Sequence, residues 1–98
     1  MTLGPKIKRF RASKLLSQDD LARTIGREHS YLSRVETGVR LPSVETTRDL
    51  AAALDLPFME LMVDRLADQL SPREMIKHKK TLDAWREIAR LHHSNLTV

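Results

Sequence analysis

Residues 17–38, with the sequence SQDDLARTIGREHSYLSRVETG, decide the fold of this chain. Apolar residues recur at helical spacing on both sides of Gly26, which predicts two short helices joined by a tight turn. Glycine adopts a left-handed backbone conformation at little cost, as a sharp turn often requires. Gly38 stands where a second glycine would end the second helix.

The first of these two helices begins with a capping motif. Ser17 can accept a hydrogen bond from a backbone N–H two or three residues on, and Asp20 stands where a carboxylate completes a capping box. Leu21, Ala22 and Ile25 then form an apolar stripe at helical spacing. The small Ala22 lets a following helix cross closely.

The second helix is predicted over about residues 28–37, with Leu32, Val35 and part of Tyr31 facing inward. The side chains left facing outward are those of His29, Ser30, Ser33 and Arg34. Two helices in this arrangement form a helix-turn-helix, whose second helix lies in the major groove of DNA. The stretch therefore predicts a DNA-binding domain.

Over roughly residues 7–61 the chain resembles the lambda-repressor-like family of regulators, also called the Xre or Cro type. The matching positions are Phe10-Arg11, Ser17-Gln18, Leu21-Ala22, Gly26, Tyr31-Leu32-Ser33-Arg34-Val35-Glu36, Gly38, Arg40, Pro42-Ser43, Leu50-Ala51 and Leu54. The resemblance implies an all-α fold, a compact bundle of five helices that mostly binds operators as a dimer.

Two positions depart from the family pattern. Leu15 stands in the turn between the first two helices, where a glycine is common, so that turn is expected to be strained or differently shaped. Glu28 opens the recognition helix in place of Ser or Thr. We expect Glu28 to pair with Arg27; a contribution to sequence selectivity is the alternative.

The resemblance implies DNA contacts from Gln18, Arg27, His29, Ser30, Tyr31, Arg34 and Arg40. Of these, His29, Ser30 and Arg34 match positions that reach base edges, and an arginine can bind guanine bidentately through O6 and N7. Gln18 would contact a phosphate at a helix N-terminus. The other three, Arg27, Tyr31 and Arg40, would position the duplex through phosphates.

Four of these assignments have an alternative. Gln18 can be an ordinary solvated side chain, and His29 and Arg34 can contact the DNA backbone instead of bases. Tyr31 can belong mainly to the core. For Arg11 and Glu36, the resemblance implies a partly buried ion pair between the first and third helices; the alternative is two unrelated surface charges.

The rest of the chain is also predicted to be helical. The first helix is expected over about residues 5–15, with Ile7, Phe10, Leu15 and, marginally, Ala12 facing inward. Ser43 is expected to cap a fourth helix that ends at Leu54. A fifth helix starting near Pro57 has an apolar stripe of Phe58, Leu61, Met62, Leu66 and Leu70.

Ser71-Pro72-Arg73-Glu74 is a second capping box, and it predicts a long helix that ends near His92. Its apolar positions follow a heptad-like spacing: Met75, Leu82, Trp85, Ala89 and His92, widened by Ile76 and Ile88. Because five helices close the core in the family, we expect this helix to pair with a second subunit rather than with its own domain. The predicted interface residues are Leu82, Trp85, Ile88 and Ala89. The chain then divides into a DNA-binding domain, residues 1–70, and a C-terminal extension, residues 71–98.

Charge is unevenly distributed along the chain, whose net charge is +4. Residues 1–48 hold ten Lys or Arg and five Asp or Glu, whereas residues 49–70 hold one and five. Residues 71–98 hold six and three. This distribution predicts a basic face toward a polyanion and an acidic face away from it.

Composition excludes several classes of function. The absence of cysteine excludes disulfides and thiolate metal sites and fits a cytoplasmic protein. No apolar run is long enough to span a membrane, and no catalytic motif is present. His92 and His93 are adjacent and point to different faces of a helix, so they and His78 do not predict a zinc site. We expect no enzyme activity and no cofactor.

These observations predict a homodimeric, sequence-specific DNA-binding regulator, interpreted as a repressor, that binds a pseudo-palindromic operator. The alternative is an antitoxin or adaptor whose C-terminal helix holds a protein partner and whose DNA binding serves autoregulation. A scaffold without DNA binding is the third possibility.

Overall fold

The computed structural model describes residues 2–96, which form six α-helices and no strand. The helices are α1 (Leu3–Ser13), α2 (Gln18–Thr24), α3 (His29–Thr37), α4 (Val44–Leu54), α5 (Phe58–Gln69) and α6 (Pro72–Leu96). The predicted all-α bundle with an additional C-terminal helix is confirmed.

The helix starts follow the predicted capping chemistry. The hydroxyl of Ser17 accepts from the N–H of Asp20 at 3.0 Å, and the Asp20 carboxylate accepts from the N–H of Ser17 at 3.0 Å. Ser71 and Glu74 form the same reciprocal pair at the start of α6, at 3.1 and 3.2 Å. In both boxes the serine N–H holds the pKa of the carboxyl below its usual value, because that hydrogen bond favours the ionised form. Ser43 caps α4 as predicted.

The turns that bracket α2 use left-handed backbone conformations. Gly26 has a φ of +69° and closes the turn before α3 as predicted. Leu15 has a φ of +58° and is 91% exposed, so the expectation that it faces inward is wrong. The reason is that α1 ends at Ser13, and Leu15 adopts the conformation that a glycine would adopt in its place.

The main core is built by α1, α2, α3, α4 and α5 together. Its buried side chains are those of Leu3, Ile7, Leu21, Ala22, Leu32, Val35, Leu50, Ala51, Leu54, Leu56 and Leu61. The inner stripes predicted for α2 and α3 are therefore confirmed. On α5 the prediction for Leu66 is wrong: Leu66 is exposed, whereas Val63 and Ala67 are buried because α6 covers that side of the helix.

Helix α6 packs back on α5 of its own chain. Leu82 is buried against Val63 and Ala67, and Ala89 is buried further along α6. The expectation that this helix does not pack on its own domain is wrong. Consequently, Leu82 and Ala89 are not exposed for a second subunit, whereas Trp85 and Ile88 are about half exposed, at 48% and 52%.

Buried charges on α5 fix the position of α6. The carboxylates of Glu60 and Asp64 are almost fully buried. Arg86 Nε donates to Asp64 Oδ1 at 2.7 Å, and Arg90 Nε donates to Glu60 Oε1 at 2.6 Å. The ammonium of Lys6 in α1 lies 2.6 Å from Asp64 Oδ2, as an ion pair rather than a directed hydrogen bond. Within the acidic segment, Glu60 and Asp64 therefore face basic groups inside the fold, whereas Asp49 and Asp55 are exposed. The predicted acidic outer surface is smaller than the charge count of residues 49–70 implies.

Two contacts position α1 in the bundle. The Asp68 carboxylate of α5 accepts from the backbone N–H of Leu3 at 2.9 Å and so caps α1 from outside the helix. Gly4 lies against the C-terminal turn of α3. A Cβ at Gly4 would lie 2.5 Å from the carbonyl oxygen of Glu36 and 2.6 Å from that of Val35. The crossing of α1 and α3 therefore requires glycine at this position.

We expect Gly4→Ala to lower the free energy of unfolding by about 3 kcal/mol, because its Cβ would overlap backbone atoms that cannot rotate away. Gly26→Ala is the control: nothing lies within 4 Å of its Cβ, and only the positive φ opposes the substitution. Its cost should be about 1 kcal/mol. Urea denaturation of both variants measures the difference. Equal losses would mean that α1 can shift away from α3 without penalty.

Candidate nucleic-acid interface

The outer face of α3 is an exposed polar surface in the middle of the helix-turn-helix. Ser30 and Arg34 lie one helical turn apart, and both are exposed. Neither side chain makes a hydrogen bond or ion pair with any other residue in the described range 2–96. Their predicted outward placement is confirmed, and their contact with bases stays a prediction.

Tyr31 is half-buried, and two arginines lie over its ring. The guanidinium carbon is 4.7 Å from the ring centroid for Arg27 and 5.7 Å for Arg40. Arg27 also donates to the hydroxyl of Thr46 at 3.3 Å. These contacts bring three predicted phosphate-binding residues together at the Tyr31 ring, because the ring quadrupole attracts both cations. The expected pairing of Arg27 with Glu28 is wrong, because Arg27 turns toward Tyr31 and α4.

Arg11 of α1 and Glu36 of α3 form a bidentate ion pair. Arg11 Nε and Nη2 donate to the two oxygens of Glu36 at 2.7 and 3.1 Å. The two side chains are 13% and 2% exposed, respectively. The hydrogen bond to Glu36 raises the pKa of Arg11 above its usual value. Arg11 Nη1 also donates to the carbonyl of Leu16 at 2.8 Å, which fixes the turn before α2.

Gln18 joins this ion pair at the start of α2. Its amide Nε2 donates to Glu36 Oε1 at 2.9 Å. The amide has a second N–H, and within residues 2–96 that group has no acceptor. The geometry is compatible with the predicted phosphate contact, because one N–H orients the amide and the other remains for a ligand.

Asp19 and His29 form a contact that the sequence did not indicate. Asp19 Oδ1 lies 2.7 Å from His29 Nδ1, across the turn between α2 and α3. Asp19 follows Gln18 in the first turn of α2, where an acidic residue is commonly explained by the helix dipole alone. Local sequence patterns do not reveal this contact, because it depends on how the two helices cross.

Two further sets of residues were missed by sequence reasoning. Gly4 left no recognisable signal, because a glycine near a helix start has many explanations. The carboxylates of Glu60, Asp64 and Asp68 did leave one: their spacing of four residues places all three on one face of α5. On that face Glu60 and Asp64 meet basic groups of α1 and α6, and Asp68 accepts from the backbone N–H of Leu3.

No three metal-ligating side chains lie together in the described part of the chain. None of its helices combines the length and the apolar character needed to cross a membrane.

Residues 2–68 match the model of a protein family described as a helix-turn-helix domain. The chain belongs to this helix-turn-helix family. The match covers more than half of the chain and ends within α5, before α6 begins. The resemblance to lambda-repressor-like regulators is confirmed at the level of the family.

Two similar proteins are HTH-type transcriptional regulators. YazB of Bacillus subtilis (strain 168) is 34% identical over 71 residues, which cover 72% of this chain and 90% of that protein. The protein y4dJ of Sinorhizobium fredii (strain NBRC 101917 / NGR234) is 37% identical over 60 residues, which cover 61% and 78%. The ImmF control region 10 kDa protein of Bacillus phage phi105 is 39% identical over 54 residues. These cover 55% of this chain and 60% of the phage protein.

A similar solved structure is a chain of the SinR protein/SinI protein complex. Its TM-score is 0.58 at 24% sequence identity, over 98% of this chain and 99% of that chain. At this identity the likeness shows the fold, and the alignment includes the region of α6.

We expect Glu36→Ala to lower the free energy of unfolding by about 3–5 kcal/mol, because it leaves the guanidinium of Arg11 buried without its partner. The matched control is Glu28→Ala, which removes an equally charged but exposed side chain near the start of α3. Its effect should stay within about 0.5 kcal/mol. Thermal melts of the two variants at one pH give the comparison. A melting temperature for Glu36→Ala close to that of the control would contradict the structural role of the pair.

Proposed function

We propose that this protein is a sequence-specific DNA-binding transcriptional regulator with α3 as its recognition helix. The observation that carries the proposal is the state of Arg34 and Ser30, which are exposed on the outer face of α3 without any partner in residues 2–96. An unpaired guanidinium at this position can bind guanine O6 and N7, and a serine hydroxyl can bind either base of a pair.

The residues around α3 suit contacts with the DNA backbone. Gln18 has an N–H available, and Arg27 and Arg40 lie beside Tyr31 at the edge of the helix. Phosphate contacts of this kind set the register of a protein on the duplex but carry no sequence information. A regulator with this geometry would occupy an operator on the nucleoid in the cytoplasm and exclude other proteins from it, which is the action of a repressor.

We further propose that two copies associate through the groove between α5 and α6. The groove has a volume of about 650 Å³, and its apolar lining includes Phe58, Met59, Trp85 and Ile88. Tryptophan is enriched where binding energy concentrates in interfaces. A two-fold dimer would present two α3 helices to successive major-groove faces of a pseudo-palindromic operator, with half-site centres about 10–10.5 base pairs apart.

The second candidate function is that of an adaptor or antitoxin, in which the same groove holds a different protein. This candidate is supported by the likeness in fold to a chain of a two-protein complex. The two candidates differ in one measurable property: the adaptor requires no self-association through Trp85 and Ile88.

We expect Arg34→Ala to weaken binding to the preferred operator by roughly 1–3 kcal/mol and to relax selectivity at one base pair of each half-site. Arg40→Ala, the control, should weaken binding equally on all sequences and lower the slope of log affinity against log salt by roughly one. The operator is recovered by selection from random DNA, and binding is then measured on operator and scrambled DNA at two salt concentrations.

If Arg34→Ala loses the same amount of binding free energy on operator and on scrambled DNA, its side chain contacts the phosphate backbone. Failure to recover any preferred sequence from random DNA would contradict the proposed function itself.

We expect the double substitution Trp85→Ala and Ile88→Ala to raise the dimer dissociation constant roughly 30-fold or more, corresponding to about 2 kcal/mol. Ile76→Ala is the control, since Ile76 is 79% exposed and lies about two and a half turns away on the opposite face of α6. Sedimentation equilibrium measures the association. As self-association weakens in the double variant, its affinity for a complete operator should fall, while its affinity for an isolated half-site should not. A parent protein that is monomeric at operator-binding concentrations would favour the adaptor.

A further inference from the structure

The pair formed by Asp19 and His29 connects the two helices of the helix-turn-helix motif. Asp19 is in the first turn of α2, and His29 is the first residue of α3. The Oδ1–Nδ1 distance of 2.7 Å is that of a charge-assisted hydrogen bond. Both side chains remain more than half exposed, so the pair lies at the surface that the proposed function directs toward DNA.

The chemistry of the pair determines which ring nitrogen carries a proton. An ionised carboxylate can only accept, so Nδ1 of His29 must be the donor. In the neutral ring this leaves Nε2 as an acceptor with its lone pair directed away from Asp19. Asp20 does not compete for the ring, because its carboxylate is engaged in the capping box with Ser17.

We propose that Asp19 is a positioning residue for sequence readout: it holds His29 in the Nδ1–H tautomer so that Nε2 accepts from a base. This inference rests on the proposed function. In the major groove the groups that donate are the exocyclic amines, N4 of cytosine and N6 of adenine. The base pair facing the first turn of α3 should therefore present one of these amines to His29.

Fixing the tautomer turns an ambiguous side chain into a specific one. A histidine free to exchange its proton between Nδ1 and Nε2 offers either a donor or an acceptor to the same base. A guanine O6 and a cytosine N4 are then both acceptable. With Asp19 in place only the amine is matched, and the wrong base leaves two acceptors facing each other.

The first arm of the test uses the free protein and needs no DNA. Long-range ¹H–¹⁵N NMR spectra at about pH 8.5, where imidazole rings are neutral, distinguish the two tautomers by the shifts of the ring nitrogens. The chain has four histidines, so the signals of His29 are assigned by their loss in His29→Gln. We expect the Nδ1–H tautomer for His29, with the exposed His78 as the internal reference. Nε2–H as the major tautomer would overturn the proposal.

The second arm compares Asp19→Ala with Asp19→Asn on DNA. Both substitutions remove the same negative charge near the phosphates, and neither fixes the tautomer, because the Asn amide can either accept from Nδ1–H or donate to an unprotonated Nδ1. We expect discrimination at the base pair under His29 to fall roughly 3- to 10-fold in both variants relative to the parent protein. Discrimination is the ratio of dissociation constants for the preferred and substituted base pair, so a general change in affinity cancels.

The outcomes separate this inference from the proposed function. If Asp19→Ala and Asp19→Asn both discriminate as well as the parent protein, and the parent protein has a preferred sequence, the protein reads DNA but Asp19 does not position His29. If the parent protein has no preferred sequence, the proposed function fails and the inference fails with it. Melting temperatures of both variants near that of the parent protein ensure that the loss is not one of folding.

Discussion

The carboxylate of Glu36 fixes α3 against the rest of the bundle. It is almost fully buried, and a buried charge must be paired from several directions to be tolerated. Arg11 of α1 and Gln18 of α2 supply the donors, so α1, α2 and α3 must adopt one mutual arrangement to satisfy it. Arg11 reaches Glu36 because Gly4 allows α1 to approach α3 closely and Asp68 caps the start of α1. The orientation of the outer face of α3 thus depends on a residue of α5.

Local chemistry in the sequence was sufficient to predict the helices, but it did not predict the longer-range contacts. The capping boxes at Ser17 and Ser71 act within four residues, so their sequence signals correspond directly to helix starts. Leu15 was misplaced because apolar periodicity continues past the point where α1 ends. Helix α6 was misassigned because its partners lie in another helix and include the polar Glu60 and Asp64 beside the apolar Val63 and Ala67, and hydrophobic patterning does not describe the polar contacts.

The same distinction holds for the candidate site. The outward placement of Arg34 follows from the period of α3, which any amphipathic helix of that register would share. The contacts of Arg27 with Tyr31 and of Asp19 with His29 depend on the angle at which helices cross, and that angle is set by the packed core. Sequence therefore identifies which side chains face outward, while their hydrogen-bonded states are determined by the fold.

The ion pairs between α6 and α5 explain why some apolar residues of α6 are buried against α5 while others are exposed. Hydrophobic contact alone would favour rotation of α6 to bury Trp85, its largest apolar side chain. The bonds of Arg86 to Asp64 and of Arg90 to Glu60 oppose that rotation, because each requires one direction of approach and turning the helix would strand buried carboxylates. Buried ion pairs thus help to set the rotation of the helix. The apolar surface around Trp85 that remains exposed is a consequence of that constraint.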